Sequence, residues 1–426
     1  MTVPEGYLRV DLSNERSADF LAIDAWAFAL PDAEVGSENI AESIDWSRSR
    51  GIEYGVPASP DKGVPRHREL AAVHSSYPYD MRVPGGTVPT SGLTWVGVHP
   101  GHRRRGLLSS MIDDHFSRAR ARGESVSTLF AAETAIYQRF GYGLACPTYR
   151  LTLPRGAEFR AIAGSDDLSI RFEDADLAKH STTVRAVLAR DERPGAMSTV
   201  GDAMLANLFF DPESMRDGQE RRRIAIVEDA SGPAAFALFQ RKLAWTDSGP
   251  GGTGASQHGW AAVTAAAERR LWSVLCDLDL MSSTTVSSVA LDSPLVHLLN
   301  DVRGAVATMR DQVWVRILDV PTALMARTYL KDVDVTIRIE DSRIAENHHP
   351  WRFHVVNGAA TVERAERDAS IDVRMSIQEL SVAYLGGTTL DALAVAGLVE
   401  EVLPGAVADL SDAFRSRLAP RGSLHF

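Results

Sequence analysis

A run of arginine, histidine and glycine at residues 99–108 has the composition of a phosphate-binding turn. The apolar strand predicted over residues 93–98 ends at Pro100, and three arginines precede Gly106, where a helix is predicted to begin. Free N–H groups in the first turn of a helix point at a bound anion, and the helix dipole adds to the attraction. Glycine lets the backbone approach a phosphate, and arginine supplies charge-assisted hydrogen bonds. The pattern predicts a site for a phosphorylated ligand; for these residues alone, a solvated basic turn is the alternative.

The elements on both sides of this turn favour the site over a chance pattern. Residues 93–98 form an apolar run of strand length before the turn. After the turn, apolar side chains recur at helical spacing and would share one buried face; they are Leu107, Leu108, Met111, Ile112 and Phe116. A strand, a tight turn and a helix N-terminus form the context that a phosphate loop requires.

Length, charge and cysteine content limit the classes of protein that the chain can represent. Its 426 residues suffice for about three domains. The formal net charge of −11 argues against a nucleic-acid binder, which needs a basic face, and suits a cationic substrate. Cys146 and Cys276 provide neither a disulfide framework nor metal-ligand spacing, so we expect no metal. Neither a membrane span nor a signal peptide is recognisable, and we expect a cytoplasmic protein, with secretion that uses no recognisable signal left open.

The order of predicted elements divides the chain into three domains, 1–155, 156–305 and 306–426. The first two are α/β and the third is α+β. The second domain repeats the strand–helix order of the first. It has Ala265, Ala266, Ala267 and Glu268 where the first has arginines and Gly106, with no glycine to admit a phosphate. We therefore interpret the second domain as a degenerate copy without a coenzyme site.

Two other motifs are predicted to be turns, and one region has little strand signal. The glycine-rich residues 248–254 match a nucleotide-binding pattern but contain Pro250 and open no helix, which favours a hairpin loop. His348 and His349 lack ligand spacing, so a turn is again predicted. Residues 52–83 are turn-rich, with a strand indicated only at 71–73. An acidic segment from Asp32 to Asp45 is either a solvated helix face or a lip that guides a cationic substrate.

Four landmarks together resemble a known family over nearly the full length of the chain. The spacing Arg103-x-x-Gly106 resembles the pyrophosphate loop of the GNAT acyltransferases, which bind acetyl-coenzyme A. Residues 95–108, 136–143 and 314–321 and the terminal aromatic residue resemble the Eis (enhanced intracellular survival) family of aminoglycoside N-acetyltransferases. The resemblance implies an active GNAT domain, a degenerate GNAT-like domain and a sterol-carrier-protein-like domain that delivers the C-terminal carboxylate. It also implies a homohexamer.

The same resemblance implies roles for individual residues. The coenzyme would be held by the main chain of residues 96–98 and by the loop; these residues are Val96, Gly97, Val98, Arg103, Arg104, Gly106 and Leu107. Tyr137 would be the general acid, although a phenol with a pKa of about 10 suits a thiolate of pKa about 8.5 only if the site tunes it. The carboxylate of Phe426 would be the general base, with its pKa raised from about 3.5 by burial.

The substrate side of the site departs from the family pattern. Trp95 occupies a pocket position that is often Phe, and Trp46 is a further candidate substrate contact. His425 stands where the family can have an acidic residue, and Ala132 replaces a serine that can touch the coenzyme. The region around Trp46 aligns poorly, so no acidic substrate contact can be assigned there.

These observations predict an acetyl-CoA-dependent N-acetyltransferase that acts on primary amines in a ternary complex. Aminoglycosides, acetylated at one or several positions, are the leading substrate class. Protein lysines or another polyamine are the first alternative, with the same chemistry and a different pocket. A non-catalytic protein that keeps coenzyme or lipid is the second alternative.

Overall fold

The computed structural model describes residues 3–30, 38–55, 68–366 and 368–426. Asp32 and Glu34 of the acidic segment lie outside the described residues. The strands are β1 (Tyr7–Asp11), β2 (Arg50–Tyr54), β3 (Glu69–Val83), β4 (Gly86–Val98), β5 (Val126–Leu129), β6 (Gly143–Pro154), β7 (Ser169–Asp174), β8 (Met197–Val200), β9 (Arg223–Asp229), β10 (Gly232–Lys242), β11 (Trp245–Thr246), β12 (Gly249–Pro250), β13 (Gly252–Ala262), β14 (Met281–Val289), β15 (Val306–Ile317), β16 (Val333–Glu340), β17 (Pro350–Val356), β18 (Ala359–Arg364), β19 (Val373–Ser376) and β20 (Val399–Glu401). The helices are α1 (Ser17–Phe28), α2 (Glu38–Ala41), α3 (Leu107–Ala121), α4 (Thr134–Tyr137), α5 (Leu177–Arg190), α6 (Asp202–Phe209), α7 (Ala265–Leu275), α8 (Pro294–Leu298), α9 (Val320–Met325), α10 (Ile377–Ala383), α11 (Leu390–Val395) and α12 (Ala406–Phe414).

One large sheet runs through the first two predicted domains. Among the described residues it has 13 strands, in the order β1-β2-β3-β4-β5-β15-β6-β14-β13-β10-β9-β7, with β8 paired to β3. Two neighbouring pairs in it are parallel, β4 with β5 and β13 with β14. A crossover helix joins each parallel pair, α3 in the first half and α7 in the second. The two halves therefore repeat the strand–helix–strand unit that the sequence predicts.

The strand β15 belongs to the sheet of the first half, although it begins the third predicted domain. It pairs antiparallel with β5 on one side and with β6 on the other. The third part of the chain forms a separate five-stranded sheet, β18-β17-β16-β19-β20, with α9–α12 around it. The domain boundaries 1–155, 156–305 and 306–426 stay a prediction, and the large sheet crosses them.

The strand β3 is longer than the sequence indicates. The sequence indicates a strand only at residues 71–73, whereas β3 covers Glu69–Val83. Nearly the whole strand is buried between neighbours, so polar side chains such as His74, Ser75 and Ser76 are covered with the apolar ones. A strand buried on both faces has no polar–apolar alternation, and the pattern that predicts strands is missing here.

A buried ion pair fixes the third part of the chain to the first. The guanidinium of Arg316, on β15, donates to both carboxylate oxygens of Asp341 at 2.8 and 2.7 Å. Its Nε also donates to the carbonyl of Phe140 at 2.8 Å. A Cβ at Gly141 would lie 2.8 Å from the same Nε, so only glycine fits there. Arg316 therefore holds the segment that follows Tyr137 in place.

Candidate active site

The strands β4 and β5 separate in the middle of the sheet. They pair from Thr90 with Val126 to Gly92 with Thr128. Beyond Gly92, in a stretch that the structure describes completely, β4 has no further partner on this side, while β5 stays paired with β15 along its whole length, up to Leu129 with Trp314. The separation leaves one edge of residues 93–98 open.

A β-bulge at Trp95 determines which backbone groups face this open edge. Trp95 has a positive φ of 55°, which is rare for a bulky residue, and the register with β3 shifts beside it. The N–H of His99 donates to the carbonyl of Ala71 on β3 at 2.9 Å. Because alternate residues of a strand turn their backbone groups to the same neighbour, Val96 and Val98 face the open edge.

The structure places Gly97 differently from its two neighbours. Its backbone groups face β3, because backbone groups along a strand point alternately to the two neighbouring strands. A Cβ at this position would lie 3.4 Å from the carbonyl oxygen of Ile23 and 3.5 Å from Cβ of Ala27, both on α1. Gly97 thus lies in ordinary packing distance of α1, whereas Val96 and Val98 present their main chain to the open edge.

The loop that follows β4 has the shape of an anion-binding turn. After a short helical turn at Pro100–His102, Arg104 has a φ of 62° and Gly106 a φ of 80°. Successive residues of mixed handedness turn backbone N–H groups toward one side, which makes a concavity for an anion. Arg103, Arg104 and Gly106 are exposed, while the side chain of Leu107 is buried as the first residue of α3.

The loop is held by Tyr7 and Tyr54, neither of which the sequence pattern indicates. The hydroxyl of Tyr7 and Nδ1 of His102 are hydrogen-bonded at 2.8 Å, and Arg105 donates to the same hydroxyl at 3.0 Å. The ring of Tyr54 lies 4.0 Å from that of His102 between centroids. Burial lowers the pKa of His102, and Arg105 contributes to the decrease. The strand β1 therefore supports the loop through the Tyr7 hydroxyl. Because Tyr7 and His102 are 95 residues apart in the sequence, no local pattern predicts this contact.

The ring of Tyr137 packs on the apolar cluster that also receives Val96 of the open edge. It is half-buried at the end of α4 and belongs to the same apolar cluster as Val96 and Leu129. Its ring meets the ring of Tyr142 edge-on at 5.9 Å, and the Tyr142 hydroxyl is fixed to Oγ of Ser127 at 2.7 Å. Burial raises the pKa of Tyr137 to about 12, and Glu133 adds to the rise. Tyr137 is therefore protonated at neutral pH, but the burial that raises its pKa also makes it a weaker acid than a free phenol.

The last residue of the chain lies where β4 and β5 separate. A Cβ at Gly92 would lie 2.6 Å from Cζ of Phe426, so glycine alone makes room for that ring. The rings of Tyr77, Tyr79 and Phe130 surround it, with centroids 5.7, 6.0 and 4.9 Å away. Among the described residues, the terminal carboxylate forms no ion pair with a basic side chain.

The candidate substrate residues continue from Phe426 as one aromatic wall. The indole of Trp95 donates to the hydroxyl of Tyr77 at 3.0 Å. The ring of Phe20 meets the rings of Trp95 and Trp46 edge-on, with centroids 6.3 and 5.5 Å away. At the other end of the wall, the imidazole of His425 lies 4.5 Å from the ring of Phe130. The fold thus links Trp46, Trp95 and His425 to Phe426 through a series of ring contacts, in which Trp46 is the most distant member.

The imidazole of His425 is exposed to solvent but surrounded by protein on its other sides. Burial lowers its pKa, and the charge of Asp311 opposes this decrease. A neutral imidazole accepts a hydrogen bond and does not repel a cation. His425 therefore cannot supply the negative charge that an acidic residue would bring to this position.

A carboxylate that was not predicted lies behind the aromatic wall. Asp24, one helical turn after Phe20 on α1, is 2 % exposed. Its Oδ1 is covered and has no hydrogen-bond partner among the described residues. Burial raises the pKa of Asp24 to about 7. Burial also raises the pKa of Tyr77, and the charges of Asp45 and Asp24 add to that rise, which puts Asp24 on the side of Tyr77.

The second half of the sheet lacks the features of the loop. Where α3 begins after Gly106, α7 begins at Ala265, and Oγ1 of Thr264 accepts the N–H of Ala267 at 3.1 Å. The cap occupies an N–H group that an anion would need. No glycine lies between β13 and α7 to bring the backbone close to a phosphate. These features fit the prediction of a degenerate copy.

Three domain families match the chain. An acetyltransferase (GNAT) domain matches residues 12–145, a second acetyltransferase (GNAT) domain matches 206–317, and a sterol carrier protein domain matches 320–421. The predicted fold class is confirmed, with two GNAT domains followed by a sterol-carrier-protein domain. The fold and the open edge of β4 define an acetyltransferase of the GNAT class, for which acetyl-CoA is the acetyl donor.

Similar proteins narrow this class to one family. An uncharacterized N-acetyltransferase of Streptomyces avermitilis is 37% identical over 350 residues, covering 81% of this chain and 84% of that protein. The N-acetyltransferase Eis of Mycobacterium bovis is 33% identical over 332 residues, covering 74% and 76%. The crystal structure of Eis1 from Mycobacterium abscessus superposes with a TM-score of 0.79 at 26% identity, covering 98% of this chain and all of that one. The chain belongs to the Eis family of GNAT N-acetyltransferases.

Two kinds of feature are absent from the described residues. No helix among them is long and apolar enough to cross a membrane. In the same part of the chain, no group of three or more His, Cys, Asp or Glu side chains is arranged to hold a metal ion.

The support of the loop by Tyr7 gives a first prediction. Tyr7→Phe removes the hydroxyl that joins His102 to Arg105, and one such hydrogen bond contributes about 0.5–1.5 kcal/mol. We expect the Kd for coenzyme A, measured by calorimetry, to rise about 2- to 10-fold. Tyr54→Phe is the matched control, because Tyr54 contacts His102 through its ring and its hydroxyl binds Glu69 instead. Equal affinity in Tyr7→Phe and wild type would refute the support role.

Proposed function

We propose that this chain transfers the acetyl group of acetyl-CoA to primary amines of aminoglycosides, at one or several positions, within a ternary complex. The observation that carries the proposal is the position of Phe426. Its ring packs on Gly92, where β4 and β5 separate, so the chain ends beside the edge expected to hold the acetyl donor. The terminal carboxylate at this point can act as the general base in place of a side-chain carboxylate or imidazole.

The open edge and the loop suit the coenzyme. The main chain of Val96 and Val98 would pair with the amide groups of the pantetheine arm. Arg103, Arg104 and the N–H groups after Gly106 would hold the pyrophosphate, with Leu107 contributing through its backbone. The bound coenzyme supplies an acetyl thioester with a thiolate as leaving group. The fixed geometry of the strand edge would provide much of the acceleration by orienting the reactants.

Two groups of the chain would move the protons. The carboxylate of Phe426 accepts a proton from the attacking amine, directly or through a water. The phenol of Tyr137 is protonated at neutral pH and would donate its proton to the departing sulfur, provided that bound coenzyme brings its raised pKa back down toward that of the thiol. Backbone N–H groups of β4 would polarise the thioester carbonyl.

The amine side of the site combines aromatic surfaces with one buried acid. Trp46, Trp95 and His425 would line the pocket, and a neutral His425 adds no repulsion toward a cation. Asp24 lies behind these rings with an oxygen that has no hydrogen-bond partner among the described residues, and its charge would attract an ammonium group held on the open side of the rings without direct contact. A net charge of −11 favours the approach of a cationic substrate.

Acetylation of protein lysines or of another polyamine is the second candidate. The same base, acid and coenzyme loop would serve it, and only the pocket would differ. Turnover measured side by side on aminoglycosides and on lysine peptides separates the two candidates. The homohexamer and the cytoplasmic location implied earlier stay predictions, and sedimentation of the purified protein tests the first of them.

Removal of Phe426 tests the proposed base. Free thiol released from acetyl-CoA is measured with a panel of aminoglycosides for wild type, for the chain that lacks Phe426, and for Phe426→Leu. We expect kcat to fall about 100-fold or more in the deletion, the usual contribution of a general base, while the Kd for coenzyme A is unchanged. Phe426→Leu keeps a carboxylate at the same chain length, so it should retain most of the activity.

Two outcomes of this experiment would contradict the proposal. Equal turnover in wild type and in the deletion would exclude the terminal base. Turnover with lysine peptides alone would retain the base and replace the aminoglycoside by the second candidate.

Substitution of Asp24 should affect stability and substrate binding in opposite directions. Because its pKa is raised to about 7, folded protein binds this proton more tightly than unfolded protein, and stability falls as pH rises from about 4 through 7. Asp24→Asn removes the buried charge, so we expect a gain of about 1–3 kcal/mol at pH 8 that disappears near pH 4. KM for the amine should rise about 10-fold, because the site loses a buried charge that attracts the ammonium group.

The control for Asp24→Asn is Asp19→Asn. Asp19 is exposed on the same helix and pairs with Arg16 at the surface. Thermal unfolding at pH 4 and 8 and steady-state kinetics are measured for both variants. An Asp24→Asn variant with an unchanged KM would show that this carboxylate does not attract the amine.

A further inference from the structure

The two parallel strand pairs of the large sheet separate in the same way. In the first half, β4 has β3 on one side, and β5 leaves its other side after Gly92. In the second half, β13 has β10 on one side, and its parallel pairing with β14 ends at Ser256 opposite Val286. Each half therefore has an open strand edge at the same place in its fold.

In the second half this edge is filled by the C-terminal segment of the chain itself. Gly259 pairs with Leu238 of β10 on one side and forms an antiparallel bridge with Leu424 on the other. A Cβ at Gly259 would lie 2.8 Å from Cδ2 of Leu424 and 3.3 Å from Cδ1 of Leu208. The close packing leaves Leu424 1 % exposed. A peptide strand thus occupies the place where the first half leaves β4 open.

Further contacts from the second half fix the residues just before Leu424. Arg421 donates to Oδ2 of Asp191 at 2.6 Å, and its guanidinium lies 4.3 Å from the ring centroid of Trp260. The N–H of Met197 donates to Oγ of Ser423 at 3.3 Å. Arg421 and Ser423 are both about 97–99% buried in this arrangement.

We propose that the degenerate GNAT domain is a peptide-binding cleft whose ligand is the C-terminal segment 421–426 of the same chain. A pantetheine arm and a peptide both present amide groups to a strand edge, so one geometry can bind either. Loss of the phosphate loop removes the coenzyme and keeps the edge. The cleft holds Leu424, and two residues later Phe426 reaches the active site of the first domain. This inference rests on the proposed function only where it assigns a role to Phe426.

A charge placed in the cleft tests the proposal in the full-length chain. Leu424→Asp puts a carboxylate against Gly259 and Leu208, and leaves the terminal carboxylate in the chain. Leu418→Asp is the matched control, because Leu418 precedes the cleft and is 41 % exposed. Two quantities are measured: the rate at which carboxypeptidase releases Phe426, and kcat for thiol release. The Kd for coenzyme A and the melting temperature establish that the first domain is intact.

We expect Leu424→Asp to speed the release of Phe426 at least 10-fold and to lower kcat about 100-fold, with both values near wild type in Leu418→Asp. A free Arg-Gly-Ser-Leu-His-Phe peptide should restore part of the activity of Leu424→Asp, and the same peptide with Asp in place of Leu should not. Release of Phe426 at the same rate in both variants would overturn the proposal. Faster release with an unchanged kcat would support the cleft and refute the terminal base, so the two failures are distinguishable.

Discussion

The separation of β4 from β5 is the constraint on which the rest of the site depends. Sheet strands normally satisfy their backbone groups on both sides, and an unpaired edge inside a protein needs another partner. Here the bulge at Trp95 turns the main chain of Val96 and Val98 toward that edge. The loop with Arg104 and Gly106 begins where the strand ends. The proposed coenzyme site, the proposed proton donor and the terminal residue are all grouped around this one opening.

The C-terminal segment connects the three parts of the chain. Gly422 exchanges two hydrogen bonds with the side chain of Gln312 on β15, at 2.8 and 2.9 Å. In the second half of the sheet, the segment is held by Asp191 and Gly259. In the first half, the ring of Phe426 packs on Gly92. A segment held by this many buried contacts has a single path, so the terminal carboxylate is fixed without a dedicated loop. The sterol-carrier-protein domain contributes by bringing the segment to the start of this path.

Local patterns explain what the sequence could predict. The loop and α3 were predictable because a turn with glycine and arginine followed by helical periodicity is specified within about 20 residues. Tyr137 and Phe426 could be selected only through the family resemblance. The residues next to Tyr137 and Phe426 in the sequence do not indicate which distant side chains these two residues contact in the fold.

Contacts between distant segments explain what the sequence could not predict. Tyr7 supports the loop although it lies 95 residues before His102 in the sequence. The strand β3 is buried on both faces, so its sequence lacks the alternation that predicts a strand. Asp24 lies among apolar residues of α1, and only its burial distinguishes it from a surface acid. The pairing of Gly259 with Leu424 joins residues from two domains, and a glycine in a strand gives no indication of its partner.

The most direct test of the account is a full-length chain whose terminal carboxylate is replaced by a carboxamide. This change keeps Phe426, its ring contacts and the whole C-terminal segment, and removes only the proposed base. The account predicts that kcat for amine acetylation falls about 100-fold or more, with the Kd for coenzyme A and the melting temperature unchanged. A carboxamide chain that turns over as fast as wild type would contradict it.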